Sequence, residues 1–409
     1  MKKVLFILGN FYPESSANGI CAMEIMEQLL ARGCVVHCIA NKGDDLSEHE
    51  IIDGVQVHRC RNLLSNKLQK KYKNAKNPLY AMALRVALKV KNFYVWLISA
   101  INFPYVSVKF INRMVRKAKE IVREEGIDTV ICVSQPTTTL YAGQRLKKNG
   151  DIQCVAYLLD PIINGSSHPM VCAGRRERVL QALQNKVLKN FDLVVGQNEH
   201  RKLFESVMNT AQAEKLHFLG APLLTEKRVP PVKQTDGKKT VIYAGGLSDS
   251  RSPAFVAEAF QYVQSATLHI YSANQSRWLK DILGNNPNVV LHPPIDRVQL
   301  MSIMKGADGL LSIGNTQSEY APSKIIECIS FGKPLITTYR TDDDTCRPYM
   351  EKYPLGLYLD ERAMTAEEAA SRIDAVLSQS RAEIPFAELE KRYWDNTPGA
   401  FVDLVKKYR

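Results

Sequence analysis

Short apolar runs and helical patterns alternate along most of the chain. In the first half, apolar runs of strand length lie at 4–8, 34–40, 129–133, 153–158, 192–195 and 215–219. Between several of them, apolar residues recur at helical spacing over 22–30, 137–147, 175–189 and 199–207. Strands that alternate with helices in this way form parallel sheets with helical crossovers. The pattern therefore predicts an α/β fold.

The alternation stops once and then begins again. Residues 224–239 are polar, contain adjacent prolines at Pro230 and Pro231, and show no periodicity, which is typical of an interdomain linker. Beyond this segment, strand patterns return at 240–244, 267–271, 289–291, 309–313, 335–338 and 357–359. A chain of 409 residues is long enough to bury two cores. We therefore predict two domains, residues 1–223 and 240–390, joined by the linker 224–239.

The overall composition is that of an ordinary globular protein, with 45% hydrophobic and 23% charged residues. The apolar run at the N-terminus ends at Gly9-Asn10 without a small-residue cleavage site, so it predicts a first strand rather than a signal peptide. Nine cysteines contain no Cys-x-x-Cys pair, and the eight histidines show no ligand spacing. The sequence therefore predicts reduced cysteines in a cytosolic protein and no structural metal.

The net charge of +12 is concentrated in one block, residues 54–119. This block holds 15 Lys or Arg and no Asp or Glu, and it interleaves them with large apolar and aromatic residues such as Phe93 and Trp96. Its longest uncharged run, 92–108, contains Asn102 and Pro104 and is too short and too polar for a membrane span. We predict contact with an anionic membrane surface. A solvated basic helix pair is one alternative, and nucleic acid is another, although no nucleic-acid-binding motif accompanies the charge.

The most informative stretch follows the predicted strand 309–313. It reads Gly314-Asn-Thr-Gln-Ser-Glu319-Tyr-Ala-Pro322-Ser-Lys324-Ile-Ile-Glu327-Cys-Ile-Ser-Phe-Gly332-Lys-Pro334. Proline suits the first turn of a helix and glycine its end, so a short helix is predicted from about Pro322 to Gly332. Its isoleucines at 325, 326 and 329 form an inward face, and the opposite face carries the polar residues Ser323, Lys324 and Glu327.

The position of this helix points to a ligand site. The carboxyl end of a parallel strand is where doubly wound sheets bind ligands. The free N–H groups at the start of a helix favour phosphate. Glu319 and Glu327 bring two carboxylates to the same place. A surface loop followed by a helix with a solvated glutamate is the alternative interpretation.

Glu319 and Glu327, separated by seven residues and followed by Gly332-Lys-Pro, resemble the E-x7-E element of retaining glycosyltransferases of family 4, in the variant P-S-K-x-x-E. The resemblance implies the GT-B fold, in which two Rossmann-like parallel-sheet domains face each other across a cleft. It also implies that Glu327 binds the ribose of a nucleotide and that Glu319 touches the donor sugar. Residues 391–409 would contain the C-terminal helix that packs back on the N-terminal domain.

The resemblance also implies a diphosphate site, with one departure. Family members carry Gly-Arg-Leu after the first strand of the second domain and a lysine five residues later. Here the matching text is Gly245-Gly246-Leu247-Ser-Asp-Ser-Arg251, so Gly246 stands at the arginine position and Arg251 at the lysine position. Lys324, beside Ser323 in the first turn of the predicted helix, is the candidate substitute cation. A simple tight turn at Gly245-Gly246 with a surface arginine is the alternative.

Further candidates lie in the first domain, which the resemblance assigns to acceptor binding. The loop 9–19 after the first strand includes Asn18 and ends at Gly19, which matches a family glycine near the donor phosphates or is an ordinary turn glycine. Leu158-Leu159-Asp160-Pro161 resembles the D-x-R-D-P-W text of some members, so Asp160 is predicted to contact the acceptor or the transferred sugar, or else to be a turn residue. The remaining candidates are His168, which could also be simply solvated, Ser134 and Gln135.

One further acidic run, Thr341-Asp-Asp-Asp344, has the D-x-D spacing of metal-dependent transferases of another fold, but an exposed turn explains it as well. The resemblance to GT-B enzymes implies that the diphosphate is handled without a metal, so we predict no metal and no cofactor beyond the nucleotide sugar.

The predicted function is retaining transfer of one sugar from a UDP- or GDP-sugar to a glycan or lipid-linked glycan in cell-surface polysaccharide biosynthesis. The protein would act in the cytoplasm, held peripherally on the inner membrane by residues 54–119, without a nucleic-acid partner. Two alternatives remain: a sugar-nucleotide epimerase or hydrolase of the same fold, and a non-catalytic scaffold that binds nucleotide or glycan.

Overall fold

The computed structural model describes residues 2–13, 16–43, 46–61, 68, 71–72, 74–104, 107–134, 136–147, 152–160, 162, 168–205, 214–234, 237–316, 323–379 and 382–409. The chain divides into two units. Unit 1 comprises Met1–Gly220 with Pro398–Arg409, and unit 2 comprises Ala221–Thr397.

Unit 1 is built on one sheet. Its strands are β1 (Lys3–Ile7), β2 (Val35–Lys42), β3 (His49–Ile52), β4 (Val55–Arg61), β5 (Thr129–Val133), β6 (Gln153–Leu158), β7 (Leu193–Gln197) and β8 (Leu216–Leu219). The described helices are α1 (Ala17–Ala31), α2 (Pro78–Ile101), α3 (Val108–Glu125), α4 (Thr138–Lys147), α5 (Ala173–Asn190), α6 (Arg201–Glu205) and a C-terminal helix, Pro398–Lys407.

The strand order in this sheet is β3-β4-β2-β1-β5-β6-β7-β8. Neighbouring strands are parallel except for β3, which pairs antiparallel with β4. Every residue of β5, β6 and β7 is buried, as expected for strands that helices cover on both faces. The order reverses at β1, since β2 lies on one side of it and β5 on the other.

The C-terminal helix belongs to unit 1 although it follows unit 2 in sequence. Its Phe401 ring lies 4.6 Å from the Tyr157 ring on β6. Asp403 forms an ion pair with Arg32 at the end of α1, and the Val405 carbonyl accepts a hydrogen bond of 3.1 Å from Gln153. One apolar and two polar contacts therefore hold the end of the chain against the sheet of the first unit.

Unit 2 contains a second sheet. Its strands are β9 (Lys239–Ala244), β10 (Ala266–Tyr271), β11 (Val289–His292), β12 (Gly309–Ser312), β13 (Leu335–Tyr339) and β14 (Gly356–Asp360). The described helices are α7 (Ala254–Tyr262), α8 (Arg277–Leu283), α9 (Arg297–Gly306), α10 (Ser323–Ile329), α11 (Arg347–Met350), α12 (Ala366–Ser378) and α13 (Phe386–Arg392), which makes the C-terminal helix α14.

All pairings in the second sheet are parallel, in the order β11-β10-β9-β12-β13-β14. Here the order reverses between β9 and β12. The prediction of an α/β fold with two parallel Rossmann-like sheets is confirmed.

Two segments differ from the sequence interpretation. The predicted linker is not an independent spacer, because Leu224 is buried, the Val232 amide donates to the Ser302 carbonyl at 2.9 Å, and Lys305 donates to the Lys227 carbonyl at 2.7 Å. This segment therefore packs against α9 in unit 2.

The basic block is also not one amphipathic element. Its first part is strand β4, where the buried Arg59 pairs with Glu50 on β3 and donates to the Tyr12 carbonyl at 2.7 Å. The cationic side chain of Arg59 is therefore used inside the unit and does not reach the surface. Among the described helices, none combines the length and the apolar character needed to cross a membrane.

Candidate functional site

In unit 2, the loops after β9 and β12 meet where the strand order reverses. The Thr316 amide donates to the Ser250 carbonyl at 3.0 Å, which joins the two loops. Gly314 lets the loop after β12 lie close against β13, since a Cβ at this position would lie 2.5 Å from the Thr338 carbonyl oxygen. Arg340, which follows β13, donates to the Ser252 carbonyl at 2.6 Å. The chain thus builds a fixed platform at the point where parallel sheets bind ligands.

A buried charged cluster lies on α10, which follows this platform. Glu327 is 2% exposed. One carboxylate oxygen, Oε2, lies 2.6 Å from Lys324 Nζ, and the other, Oε1, lies 2.8 Å from Arg297 Nη2. Its neighbours Ile325 and Ile326 are buried in the core as predicted. The glutamate itself is not the solvated surface residue of the alternative interpretation.

The two cations decide the protonation state of this carboxylate. Burial by itself would raise the pKa of Glu327, but the charges of Lys324 and Arg297, together with the hydrogen bond from Lys324, lower it to about 2. The group is therefore ionised at neutral pH. Among the described residues, each oxygen uses one acceptor position on a cation and keeps a second. The carboxylate can consequently accept two further hydrogen bonds from a ligand.

The glycine-containing loop after β9 is held by a tyrosine. Tyr243 donates from its hydroxyl to the Gly246 carbonyl at 3.0 Å. Burial raises the pKa of Tyr243 to about 12, although Arg251 works against it. A Cβ at Gly245 would lie 3.0 Å from the tyrosine oxygen, whereas a Cβ at Gly246 would meet no heavy atom within 4 Å.

Arg251 is the cation of this loop. Among the described residues it has no carboxylate partner, and its Nε atom is buried without a hydrogen-bond partner. Backbone hydrogen bonds between Ser248 and Arg251, of 2.9 and 3.3 Å, fix the turn that carries it. A half-buried guanidinium with a spare donor favours an anionic ligand.

Two residues predicted for this region lie outside the described part of the chain. These are Glu319, the predicted sugar contact, and Pro322, the predicted start of the helix. Ser323 begins α10 and is half-buried.

In unit 1, three of the predicted residues come together at the reversal point between β1 and β5. Asn18, near the start of α1, donates from Nδ2 to the Ser134 carbonyl at 2.9 Å and to Asp160 Oδ2 at 3.3 Å. These residues follow β1, β5 and β6, whose carboxyl ends lie at one edge of the sheet. The Ser134 hydroxyl is buried without a hydrogen-bond partner among the described residues.

Two further unit 1 candidates, Gly19 and His168, have other hydrogen-bond partners. Gly19 is buried, but its amide donates to the Ser16 hydroxyl at 3.2 Å as part of the cap of α1. His168 accepts the Met170 amide at Nδ1, with a distance of 3.2 Å, so its Nε2 carries the proton. Its ring centroid lies 5.4 Å from that of Trp96 on α2. Gln135 lies outside the described residues.

The D-x-D text does not form a metal cage in the described structure. Asp342 pairs with Arg362 at 2.8 Å, and Asp344 accepts the Cys346 amide at 2.6 Å. Over the described ranges, no three His, Cys, Asp or Glu side chains are grouped so that they could hold a metal ion.

Sequence reasoning missed Arg297. It is the first residue of α9, thirty positions before Glu327, and Asp296 caps the same helix. The local sequence gives no signal of this pairing, since Arg277 begins α8 in the same way and stays exposed with a partner on its own helix.

Comparison with known proteins finds similar solved structures but no sequence family. No protein-family model and no curated protein matches the chain. Among solved structures, a glycosyltransferase from Rickettsia africae ESF-5 is 13% identical, with a TM-score of 0.62, and the alignment covers 100% of this chain and 98% of that one. Sucrose-phosphate synthase from Thermosynechococcus elongatus is 13% identical, with a TM-score of 0.60 and coverage of 98% and 92%.

A third similar structure is that of Anabaena HepE in complex with UDP and glucose. It is 13% identical, with a TM-score of 0.56 and coverage of 100% and 97%. The chain has the GT-B fold. At these identities the similarity shows the fold alone. A GT-B fold contains two Rossmann-like sheets in one chain and does not by itself determine which reaction is catalysed.

Proposed function

We propose that this GT-B protein is a glycosyltransferase that moves one sugar from a nucleoside-diphosphate sugar, linked to UDP or GDP, onto a glycan or lipid-linked glycan. The observation that carries the proposal is the buried, ionised Glu327 held between Lys324 and Arg297. Its two remaining acceptor positions match the two vicinal hydroxyls of a ribose. The resemblance to family 4 assigns the same role to this glutamate.

The leaving diphosphate needs positive charge that is in place before the reaction. The unit 2 platform supplies Arg251, whose Nε has a spare donor, and Lys324, which has three N–H donors and uses one on Glu327. Since Glu327 carries one negative charge against Lys324 and Arg297, that cluster has a net charge of about +1. We propose that these side chains neutralise the diphosphate without a metal ion.

Unit 1 would hold the acceptor. Asn18 orients the Asp160 carboxylate, and the buried Ser134 hydroxyl is an additional polar group at the same edge. His168, with its proton on Nε2, is suited to donate a hydrogen bond to a sugar hydroxyl rather than to act as a base at that atom.

We further propose that the transfer retains the anomeric configuration by attack on the same face that the diphosphate leaves. Glu319 would contact the donor sugar. The lipid-linked acceptor would be reached from the cytoplasmic face of the inner membrane. These points rest on the resemblance and on the basic surface of unit 1.

Calorimetric titration tests the donor site. Wild-type protein is titrated with UDP, GDP, ADP and CMP, and then with the free nucleoside of the base that binds. Glu327→Gln should weaken the nucleoside and the diphosphate alike by about tenfold, since it removes the charge on a ribose ligand. Lys324→Ala should weaken the diphosphate more than the nucleoside.

The matched control is Asp374→Asn, which neutralises a carboxylate of unit 2 that accepts the Gln264 and Ser265 amides just before β10, at the opposite end of the strands from the loops after β9 and β12. It should leave nucleotide binding unchanged. Absence of binding by any of the four nucleotides to the wild-type protein would refute the proposal. Nucleotide binding without turnover of any sugar nucleotide, with and without lipid acceptor, would instead support the non-catalytic scaffold.

A further inference from the structure

Helix α2 carries an apolar stripe that the rest of unit 1 does not cover. Of its 24 residues only Leu84 and Ala100 are buried. Seven large apolar side chains recur at helical spacing along one face, roughly opposite Leu84, and are 37% to 77% exposed. They are Leu79, Met82, Val86, Val90, Phe93, Leu97 and Ile101. At 1.5 Å per residue the stripe is about 33 Å long.

The neighbouring helix shows that this exposure is particular to α2. Helix α3 carries six Lys or Arg, against three on α2, and turns its apolar side chains inward, so that Phe110, Ile111 and Met114 are buried in the core of unit 1. The packing of the unit therefore accounts for the apolar face of α3 and not for the exposed stripe of α2. A contiguous exposed apolar face of this length indicates an interaction surface.

Basic and aromatic residues border the stripe. Arg85 and Lys89 are exposed on one flank, and neither has a carboxylate partner among the described residues. Tyr80 and Tyr94 are 50% and 60% exposed on the other flank. An apolar stripe bordered by cations and tyrosines is the pattern of a helix that lies in the interface of a bilayer.

We propose that α2 is a membrane-docking helix that lies flat in the interface of an anionic bilayer. The stripe would enter the boundary between headgroups and acyl chains, and Arg85 and Lys89 would contact lipid phosphates. This docking role deepens the proposed function. It rests on that function in one point, that the lipid-linked acceptor lies in this same bilayer.

Charge distinguishes the bilayer from the other occupants. A second copy of α2 would bring Arg85 and Lys89 of both chains together, and the block 54–119 offers no Asp or Glu to balance them. Nucleic acid would satisfy the cations but would leave a stripe of about 33 Å exposed to water. An anionic bilayer satisfies both features.

The position of α2 adds a functional reason. Trp96 on this helix contacts His168, and the Thr137 hydroxyl donates to the Pro104 carbonyl at 2.9 Å, just after α2 ends. The C-terminal half of the helix is thus tied to the edge of the sheet that carries Ser134 and Asp160. Docking of α2 would hold the acceptor edge of unit 1 at the membrane surface.

Flotation of the full-length protein with lipid vesicles tests the proposal. Wild type should bind phosphatidylcholine vesicles containing about 30 mol% phosphatidylglycerol and bind pure phosphatidylcholine at least about tenfold more weakly. Val86→Asp combined with Val90→Asp should weaken binding to the anionic vesicles by at least about tenfold. Ile51→Asp is the control, because Ile51 on β3 of the same unit is 62% exposed, close to the 64% of Val90.

Arg85→Ser combined with Lys89→Ser should reduce the dependence on phosphatidylglycerol and on salt, because it removes the charges while the stripe stays. Three outcomes would overturn the proposal: unchanged vesicle binding of the double aspartate variant, equal binding to neutral and anionic vesicles, or a wild-type dimer in light scattering that the aspartates dissociate while vesicle binding persists. Binding of single-stranded RNA at the expense of vesicle binding would overturn it as well.

The same samples separate this inference from the proposed function. The double aspartate variant should bind nucleoside diphosphate in solution as the wild type does, because α2 is in unit 1 and Glu327 is in unit 2. If no nucleotide binds the wild type but the vesicle results hold, the proposed function fails and α2 remains a docking helix.

Discussion

Replacement of Glu327 by glutamine should cost stability in a way that depends on pH. The carboxyl is 2% exposed, and its pKa is about 2 in the folded chain against an ordinary value of 4.5. A depressed pKa of this size corresponds to about 3 kcal/mol of stability at neutral pH, present above the unfolded pKa and lost as the pH falls towards the folded one. The difference in unfolding free energy between wild type and Glu327→Gln should therefore shrink by about 2 kcal/mol between pH 7 and pH 3.

Tryptophan fluorescence during urea unfolding can isolate the unit concerned. The chain has three tryptophans, and Trp96 is the one in unit 1, so a Trp96→Phe background leaves Trp278 and Trp394 to report on unit 2 alone. Both the parent and Glu327→Gln are unfolded at a series of pH values in this background. Measuring the pH-dependent part of the difference removes any constant cost of placing an amide beside two cations.

Glu361 provides a control with the opposite sign. It is half-buried and paired with Arg340 at 2.6 Å, but here the burial outweighs the pairing and raises its pKa. A raised carboxyl pKa destabilises the folded state at pH values above that pKa, and this destabilisation disappears as the pH falls. The cost of Glu361→Gln should therefore stay level or grow on acidification. If the Glu327→Gln difference is flat between pH 7 and about pH 3, the reasoning about Lys324 and Arg297 is wrong.

Three further predictions concern individual positions. Gly246→Arg should change stability by less than about 0.5 kcal/mol in thermal unfolding, since no heavy atom lies within 4 Å of its Cβ, and it should tighten nucleoside-diphosphate binding severalfold in calorimetry; a large loss of stability would contradict this. Gly143→Ala should destabilise unit 1 by about 1–3 kcal/mol in urea unfolding, because its Cβ would lie 2.5 Å from Cys132 Sγ and 2.7 Å from Phe191 Cζ; an unchanged midpoint would count against it. Asn18→Asp should cost about 1 kcal/mol at neutral pH by placing two carboxylates together, and Asp160→Asn should restore the loss, whereas additive effects would exclude the contact.

The strands were the part of the fold most readily predicted from sequence. The predicted bounds 129–133 and 153–158 coincide with β5 and β6, because strands buried on both faces are uninterrupted apolar runs. Strand β4 was missed because its sequence, Val55-Gln-Val-His-Arg-Cys-Arg61, carries two arginines, one of them paired with Glu50 from the antiparallel neighbour. A partner on another strand cannot be read from the local pattern.

The same limit applies to the candidate site. The helix at Ser323 and the inward isoleucines follow from local spacing, but the burial of Glu327 depends on Arg297, which the fold brings from another helix. Helix α2 shows the converse case. Its sequence contains two apolar stripes, one centred on the buried Leu84 and one on the exposed Val90, and only the packing of unit 1 shows which of them faces solvent.

Gly246 leaves the loop after β9 with Arg251 as its cation. A site that lacks the arginine of the Gly-Arg-Leu text would favour a non-catalytic scaffold if no other cation replaced it. Arg297 changes this balance, because it shares the charge of Glu327 and so leaves part of the Lys324 charge available, while Arg251 keeps a spare donor. Under the proposed function, the positive charge for a leaving diphosphate is therefore distributed over three side chains from three separate segments. We expect that loss of any one of them lowers turnover without abolishing nucleotide binding, a response that a pure binding scaffold would not show.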